Sequence, residues 1–333
     1  MQIIGPDHLV FGVDDVDACC TYLTDYGLAP VGASAAGGRF DALDGTGVVV
    51  AHADDPALPP PIGTASMLRK TVYGVADAAA LAEVEAELAS DREVRRLADG
   101  SIEAADDMGF VLGFQVTTRR PLDLPGERVN APGAAPQRPL NVVGVDEGAD
   151  VRPRTLSHVV YFVPDVDAAE AFYARLGFRC TDRLVGAGPF LRPGGTTDHH
   201  TLFLIQTPPF MKGCEHFTFH LGGPTEMMQA GTRFVERGYE SFWGPGRHKF
   251  GSNWFWYFNS PLGCHVEYDA DMDVVDTAWS PRQAPMSADA SQLFLFQRAE
   301  RWAPGGPPPG GRPPGGALAG GQAPAGVGVG EPH

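Results

Sequence analysis

Along residues 6–27 an apolar run, His8-Leu-Val-Phe-Gly-Val13, gives way to Asp14-Asp15 and then to apolar positions at helical spacing that stop at Gly27. Residues 156–177 repeat this pattern 150 positions on, with His158 for His8, Asp165-Val-Asp-Ala for Asp15-Val-Asp-Ala, and Gly177 for Gly27. Each copy predicts a buried strand followed by an amphipathic helix. Asp15 and Asp165 stand where a side-chain oxygen can cap the first helical N–H groups. Tyr22 and Tyr26, and in the second copy Phe172 and Tyr173, face inward, while Gly27 and Gly177 suit a left-handed stop. A His, an Asp-Val-Asp-Ala and a terminating Gly at one common offset mark an internal duplication.

A weaker version of the unit recurs within each half. Residues 214–221, Cys-Glu-His216-Phe-Thr-Phe-His220-Leu, alternate like a strand and lead into a helix from about Thr225 to Arg237, stopped by Gly238. In the first half Lys70-Thr-Val-Tyr-Gly-Val75 precedes an Ala/Glu-rich helix from about Asp77 to Leu88. The pattern predicts an α+β chain of four strand–helix–strands modules, two per domain. The domains are expected at 1–120 and 151–285, joined by a Pro/Gly/Ala-rich linker at 121–150. An extension follows over 286–333, expected to be disordered from about 303, where Gly, Pro and Ala leave nothing to bury.

The aromatic strand Trp254-Phe-Trp-Tyr-Phe258 ends at the turn Ser260-Pro-Leu-Gly263, and the strand after it, Cys264 to Tyr268, carries a lone carboxylate, Glu267. An acid among apolar neighbours is costly unless it is paired or bound to a metal. His158 and His216 open the two modules of the second half. Two imidazoles and a carboxylate on three strands form a facial triad suited to a non-haem Fe(II) with open positions. A single histidine of this kind is more often a satisfied core residue; three at matching places in a repeated unit reverse those odds. His220 shares its strand face with His216. His265 lies two residues before Glu267, and the acidic run Asp269–Asp276 reads as a solvated turn.

Composition narrows the partners. The chain has 333 residues with 43 % hydrophobic and 20 % charged, the balance of a globular protein. A net charge of −16 argues against nucleic acid and anionic membranes. No stretch reaches the roughly 20 apolar residues of a membrane helix. Five cysteines without a CxxC spacing, and an opening segment without a basic or apolar leader, make free thiols and a cytoplasmic location the expectation.

Residues 156–279 resemble the catalytic domain of the type I extradiol ring-cleavage dioxygenases of the vicinal oxygen chelate superfamily, and the first half resembles that family's non-catalytic domain. The likeness is carried by Gly246-Arg247-His248, Tyr257, Pro261-x-Gly263 and Glu267-Tyr268, and by Phe190-Leu-Arg192 with Asp198-His199-His200-Thr-Leu202. It implies four βαβββ modules in two tandem domains and an iron held by His158, His216 and Glu267, with Mn(II) an alternative. His200 matches the acid/base histidine, Tyr257 the hydrogen-bonding tyrosine and His248 a histidine lining the pocket. His199, Arg247, Phe250 and His220 are the further candidates at the substrate. The implied reaction is O2-dependent cleavage of an aromatic diol beside, not between, its hydroxyls, in a homo-oligomer.

One departure stands out. Phe250-Gly251 replaces the Asn-Asp found in many biphenyl-type members, so substrate identity does not transfer. In the first half only His8 persists, with Lys70 and Gly113 at the places of the other two ligands, which makes that half structural. A metal-free small-molecule (drug) binding protein of the same superfamily, and a glyoxalase-type isomerase or lyase, remain the alternative readings.

Overall fold

The computed structural model describes residues 1–296; the expected disorder from 303 lies outside the described residues. The first half runs β1 (Ile3–Val13), α1 (Val16–Tyr26), β2 (Ala29–Ser34), β3 (Gly37–Asp41) and β4 (Gly47–His52), then β5 (Leu68–Val75), α2 (Ala78–Leu88), β6 (Arg95–Arg96), β7 (Ile102–Ala105) and β8 (Val111–Val116). These strands make one sheet in the order β2-β3-β4-β1-β5-β8-β7-β6. The second half repeats the series with β9 (Thr155–Val163), α3 (Val166–Arg175), β10 (Arg179–Val185), β11 (Gly188–Arg192) and β12 (Leu202–Gln206). After them come β13 (Gly213–His220), α4 (Pro224–Glu236), β14 (Ser241–His248), β15 (Trp254–Phe258) and β16 (His265–Ala270).

The duplicated motif folds as its pattern requires. Asp15 Oδ1 accepts the Ala18 N–H at 2.9 Å and Asp165 Oδ1 accepts the Ala168 N–H at 3.0 Å. Gly27 and Gly177 close the helices at φ +106° and +86°, in the left-handed region. In each module the first strand lies parallel to the fourth, as β1 does to β4 and β9 to β12. The two modules of a half meet through their antiparallel first strands, β1 with β5 and β9 with β13. One apolar core runs through both halves; Phe11 meets Phe217 at 5.6 Å between ring centroids and Tyr26 stacks on Tyr268 at 4.0 Å. Trp256 is core, and α4 approaches it through Gly231, where a Cβ would sit 2.2 Å from the indole.

The expected catalytic domain boundary at 285 cuts through a structured segment. β17 (Arg282–Pro285), α5 (Ala288–Ser291) and β18 (Gln292–Leu295) follow β16, and the second sheet reads β17-β10-β11-β12-β9-β13-β16-β15-β14-β18. Its outermost strands are thus joined by a few residues of chain. Ten flat strands would hold their edges roughly 43 Å apart, whereas the seven steps from 285 to 292 reach at most about 25 Å. The sheet therefore curls into a cup, and segment 282–295 is strapped across its mouth. No helix among the described residues is long and apolar enough to cross a membrane.

Candidate active site

Strand register brings the triad together. In the order β9-β13-β16, Thr218 of β13 pairs with His158 on one side and Glu267 on the other. His216, two residues back, presents its side chain to the same face as Thr218. His158 Nε2 lies 3.3 Å from Glu267 Oε2, and His216 Nε2 lies 3.5 Å from it. One ligand atom from each of the three residues falls within 4.8 Å of the others, and all three residues are buried.

This donor set fits a divalent cation. His216 Nε2 and Glu267 Oε1 are buried without a hydrogen-bond partner among the described residues. Burial opposes ionisation of Glu267, but His158, His248 and His216 outweigh it and hold the carboxyl well below its ordinary range. Two imidazole nitrogens and one carboxylate leave further coordination positions for substrate. The outer nitrogens of His158 and His216 are also held, an arrangement typical of metal-binding histidines. Ser157 Oγ lies 2.9 Å from His158 Nδ1; Glu215 bonds His216 Nδ1 and reaches His265 Nδ1 at 3.0 Å. Burial works against Glu215, yet His216 and His265 bring its carboxyl down to about 2. The Thr218 hydroxyl donates to Glu267 Oε2.

The first half props this site from behind. The Tyr26 hydroxyl donates to the Glu267 carbonyl at 2.6 Å, and the Tyr268 hydroxyl donates to the Tyr26 carbonyl at 2.7 Å, both buried. Tyr26→Phe leaves a buried acceptor short of a donor and is expected to cost about 1–2 kcal/mol of stability in urea unfolding; an unchanged midpoint would remove this strut from the account. Register also explains why the first half has no triad of its own. His8 pairs with Val72 and Val72 with Gly113, so His8, Lys70 and Gly113 occupy the places of His158, His216 and Glu267. Lys70 binds Glu103 at 3.3 Å, and burial, with Arg39 adding to it, pushes His8 down to about 4.

A cavity of about 330 Å³ opens in front of the triad. His200 lies on one side, its ring 4.4 Å from that of His158. On the other side Tyr257 packs edge-on to His216 at 4.9 Å, and its hydroxyl is 3.2 Å from His248 Nε2. Burial, then the neighbouring imidazoles, lower the His200 pKa well below its usual value. Burial, then the Glu267 and Glu215 charges, raise that of Tyr257. The walls are Val160, Leu184, Phe190, Phe203, Ile205 and Phe250, and among the described residues no Lys or Arg lines the space. His248 is tied to the strap through Nδ1, 2.8 Å from the Ser291 carbonyl.

Four candidates sit elsewhere than the sequence reading places them. His199 is fully buried behind His200, away from the cavity. Arg247 donates to Asp271 and to the Ser252 carbonyl at 2.8 Å each and covers Trp254, so it is anchored outside the cavity. His220 pairs with Asp269 at 2.6 Å; burial opposes its charge, but Asp269 prevails and pushes it up to about 9. Asp269, taken with the solvated acidic run, is fully buried and also accepts from Asn253 at 3.2 Å. Of the four expected substrate contacts, Phe250 alone lines the cavity. Sequence reasoning missed Ser157, Glu215, Thr218 and Asp182. For the first three, adjacency to a ligand or the central place in the register was the available signal.

Residues 155–268 match the model of the Glyoxalase/Bleomycin resistance protein/Dioxygenase superfamily. The chain is 33 % identical to Metapyrocatechase 2 of Cupriavidus necator over 192 residues, 55 % of this chain and 57 % of that relative. It is 28 % identical over 287 residues to Biphenyl-2,3-diol 1,2-dioxygenase of Paraburkholderia xenovorans strain LB400, 84 % of this chain and 91 % of that one. Among solved structures, the Mn(II)-bound glyoxalase from Novosphingobium aromaticivorans shares the fold with a TM-score of 0.67 at 21 % identity, covering 88 % of this chain and 91 % of that one.

Proposed function

We propose that the chain, whose residues 155–268 match the model of the Glyoxalase/Bleomycin resistance protein/Dioxygenase superfamily, is an extradiol dioxygenase acting on a catechol that carries an uncharged, apolar substituent. The observation that carries the reading is the convergence of His158, His216 and Glu267 beside one cavity, which His158 and His216 line, with His200 on one side and Tyr257 and His248 on the other. The relatives named for catechol and biphenyl-diol cleavage support it.

His158, His216 and Glu267 would hold Fe(II) or Mn(II), which supplies a Lewis acid that acidifies a catechol hydroxyl and a redox centre for O2. The protein's own groups divide the remaining work. His200, kept neutral by burial, accepts a proton from the substrate and returns it later in turnover. Tyr257 donates a hydrogen bond toward charge developing on the opposite side of the ring, and His248, whose Nδ1–H is taken by the Ser291 carbonyl, holds its Nε2 as an acceptor beside that hydroxyl. Phe190 and Phe203, stacked at 4.1 Å, form a dry wall for the aromatic face and its substituent.

The test is oxygen uptake by the Fe(II)-loaded protein with a panel of catechols, spectra being recorded throughout. Uptake with a new yellow chromophore is the expected outcome; stoichiometric metal without uptake for any member would overturn the proposal. Within the panel, alkyl- or aryl-substituted catechols are expected to exceed carboxylated ones by at least about 100-fold in kcat/KM. A carboxylate buried in this cavity without a cation costs about 3 kcal/mol or more.

A further inference from the structure

His200 is gripped from behind by a buried relay that makes no contact with the cavity. Asp182 on β10 is fully buried, and its carboxylate accepts the Arg282 backbone N–H at 2.7 Å and the Arg282 Nε–H at 3.0 Å. Its Oδ2 lies 2.9 Å from His199 Nε2. Burial opposes ionisation, but the bonds from His199 and Arg282 prevail and hold the carboxyl below its ordinary value. An ionised carboxylate only accepts, so His199 donates through Nε2. His199 Nδ1 in turn lies 3.1 Å from His200 Nδ1.

That contact joins two like atoms, and only one of them can carry the proton. The Arg282 guanidinium already balances the Asp182 charge, so a second buried cation at His199 would be uncompensated. A neutral imidazole that donates at Nε2 keeps its lone pair at Nδ1. His200 must then donate from Nδ1, which leaves its Nε2 bare. Nε2 lies across the ring from His199, His200 lines the cavity, and this nitrogen makes no hydrogen bond among the described residues. Gly251, at φ +78°, lies against the pair: a Cβ there would touch both His199 Nδ1 and His200 Cε1 at 3.4 Å.

We propose that Asp182 and His199 are positioning residues which lock His200 in its Nδ1–H tautomer, so that the nitrogen presented to substrate is an unprotonated base. The consequence for turnover rests on the dioxygenase reading; the tautomer itself does not. The direct test is ¹⁵N spectroscopy of histidine-labelled, full-length protein carrying diamagnetic Zn(II), with the His200 signals identified by their loss in His200→Gln. The expected wild-type pattern is a protonated Nδ1 and a bare Nε2.

In Asp182→Asn the side-chain amide donates to His199, reversing the relay and placing the His200 proton on Nε2. With iron and a catechol, kcat in this variant is expected to fall about 10- to 100-fold at nearly constant KM and metal content. Arg282→Lys keeps a positive charge and the backbone N–H beside Asp182, and is expected to retain the wild-type His200 tautomer in the same ¹⁵N spectra. A wild-type His200 protonated at Nε2, an unmoved proton in Asp182→Asn, or a moved proton in Arg282→Lys would each overturn the proposal. If no variant, wild type included, consumes oxygen, the dioxygenase reading fails while the spectra still decide the tautomer.

Discussion

A Glu267→Ala protein is expected to emerge from dialysis without metal, its affinity reduced by well over about 100-fold, more than the loss of an outer hydrogen-bond partner would cause. Glu267 is the one anionic group of the triad, and its replacement by alanine would leave a doubly charged ion facing two neutral imidazoles. Metal analysis after exhaustive dialysis measures the effect directly. Thermal melting adds a second readout, because an ion that binds only the folded chain raises Tm by an amount that grows with the logarithm of its affinity. Wild-type protein should gain stability on adding metal and the variant should not. The shift on adding metal, and not the absolute Tm, is the quantity compared, because removing Glu267 also strips buried partners such as Thr218 and His158 and lowers the metal-free baseline. Stoichiometric metal in Glu267→Ala would mean that the triad is not the site.

His200→Gln separates chemistry from binding. Its ring is 4.4 Å from that of His158, and His200 is not a member of the triad, so metal content should be unchanged. The loss of a positioned general base predicts a fall in kcat of about 100- to 10,000-fold. Affinity for catechol, measured anaerobically, should move little, because glutamine preserves most of the volume against Phe190. Normal turnover in this variant would remove His200 from the mechanism and leave the relay behind it without a task in the reaction.

How much of this was legible in the sequence depends on how local each signal is. The caps at Asp15 and Asp165 and the stops at Gly27 and Gly177 are settled within a few residues, and the helices fall where the pattern puts them. The placement of Lys70 and Gly113 opposite His216 and Glu267 followed from the repeat, because equal modules impose equal register. The failures are nonlocal. Asp182 and Arg282 meet from 100 residues apart in chain, and nothing near either one announces the other. Asp269 was read as solvated because it adjoins exposed acids, yet it is the last strand residue but one and turns inward to His220 and Asn253. Arg247 carries a charge beside the cavity region, but Asp271 and the Trp254 face satisfy it first. β17 and β18 have four residues each, too few for alternation to register.

Those two short strands bear on colloidal behaviour as well as on the cavity. Without them the second sheet would end on β10 and β14, seven and eight residues of strand with unpaired backbone groups along one side. Such edges are templates on which other chains can add. The strap gives each edge a four-residue partner instead, one of them ending at Pro285, which has no N–H to offer. Protection against runaway sheet growth is thus built into the same segment that closes the cup. Shortening the chain before residue 282 would expose both edges at once, with insolubility as the first symptom.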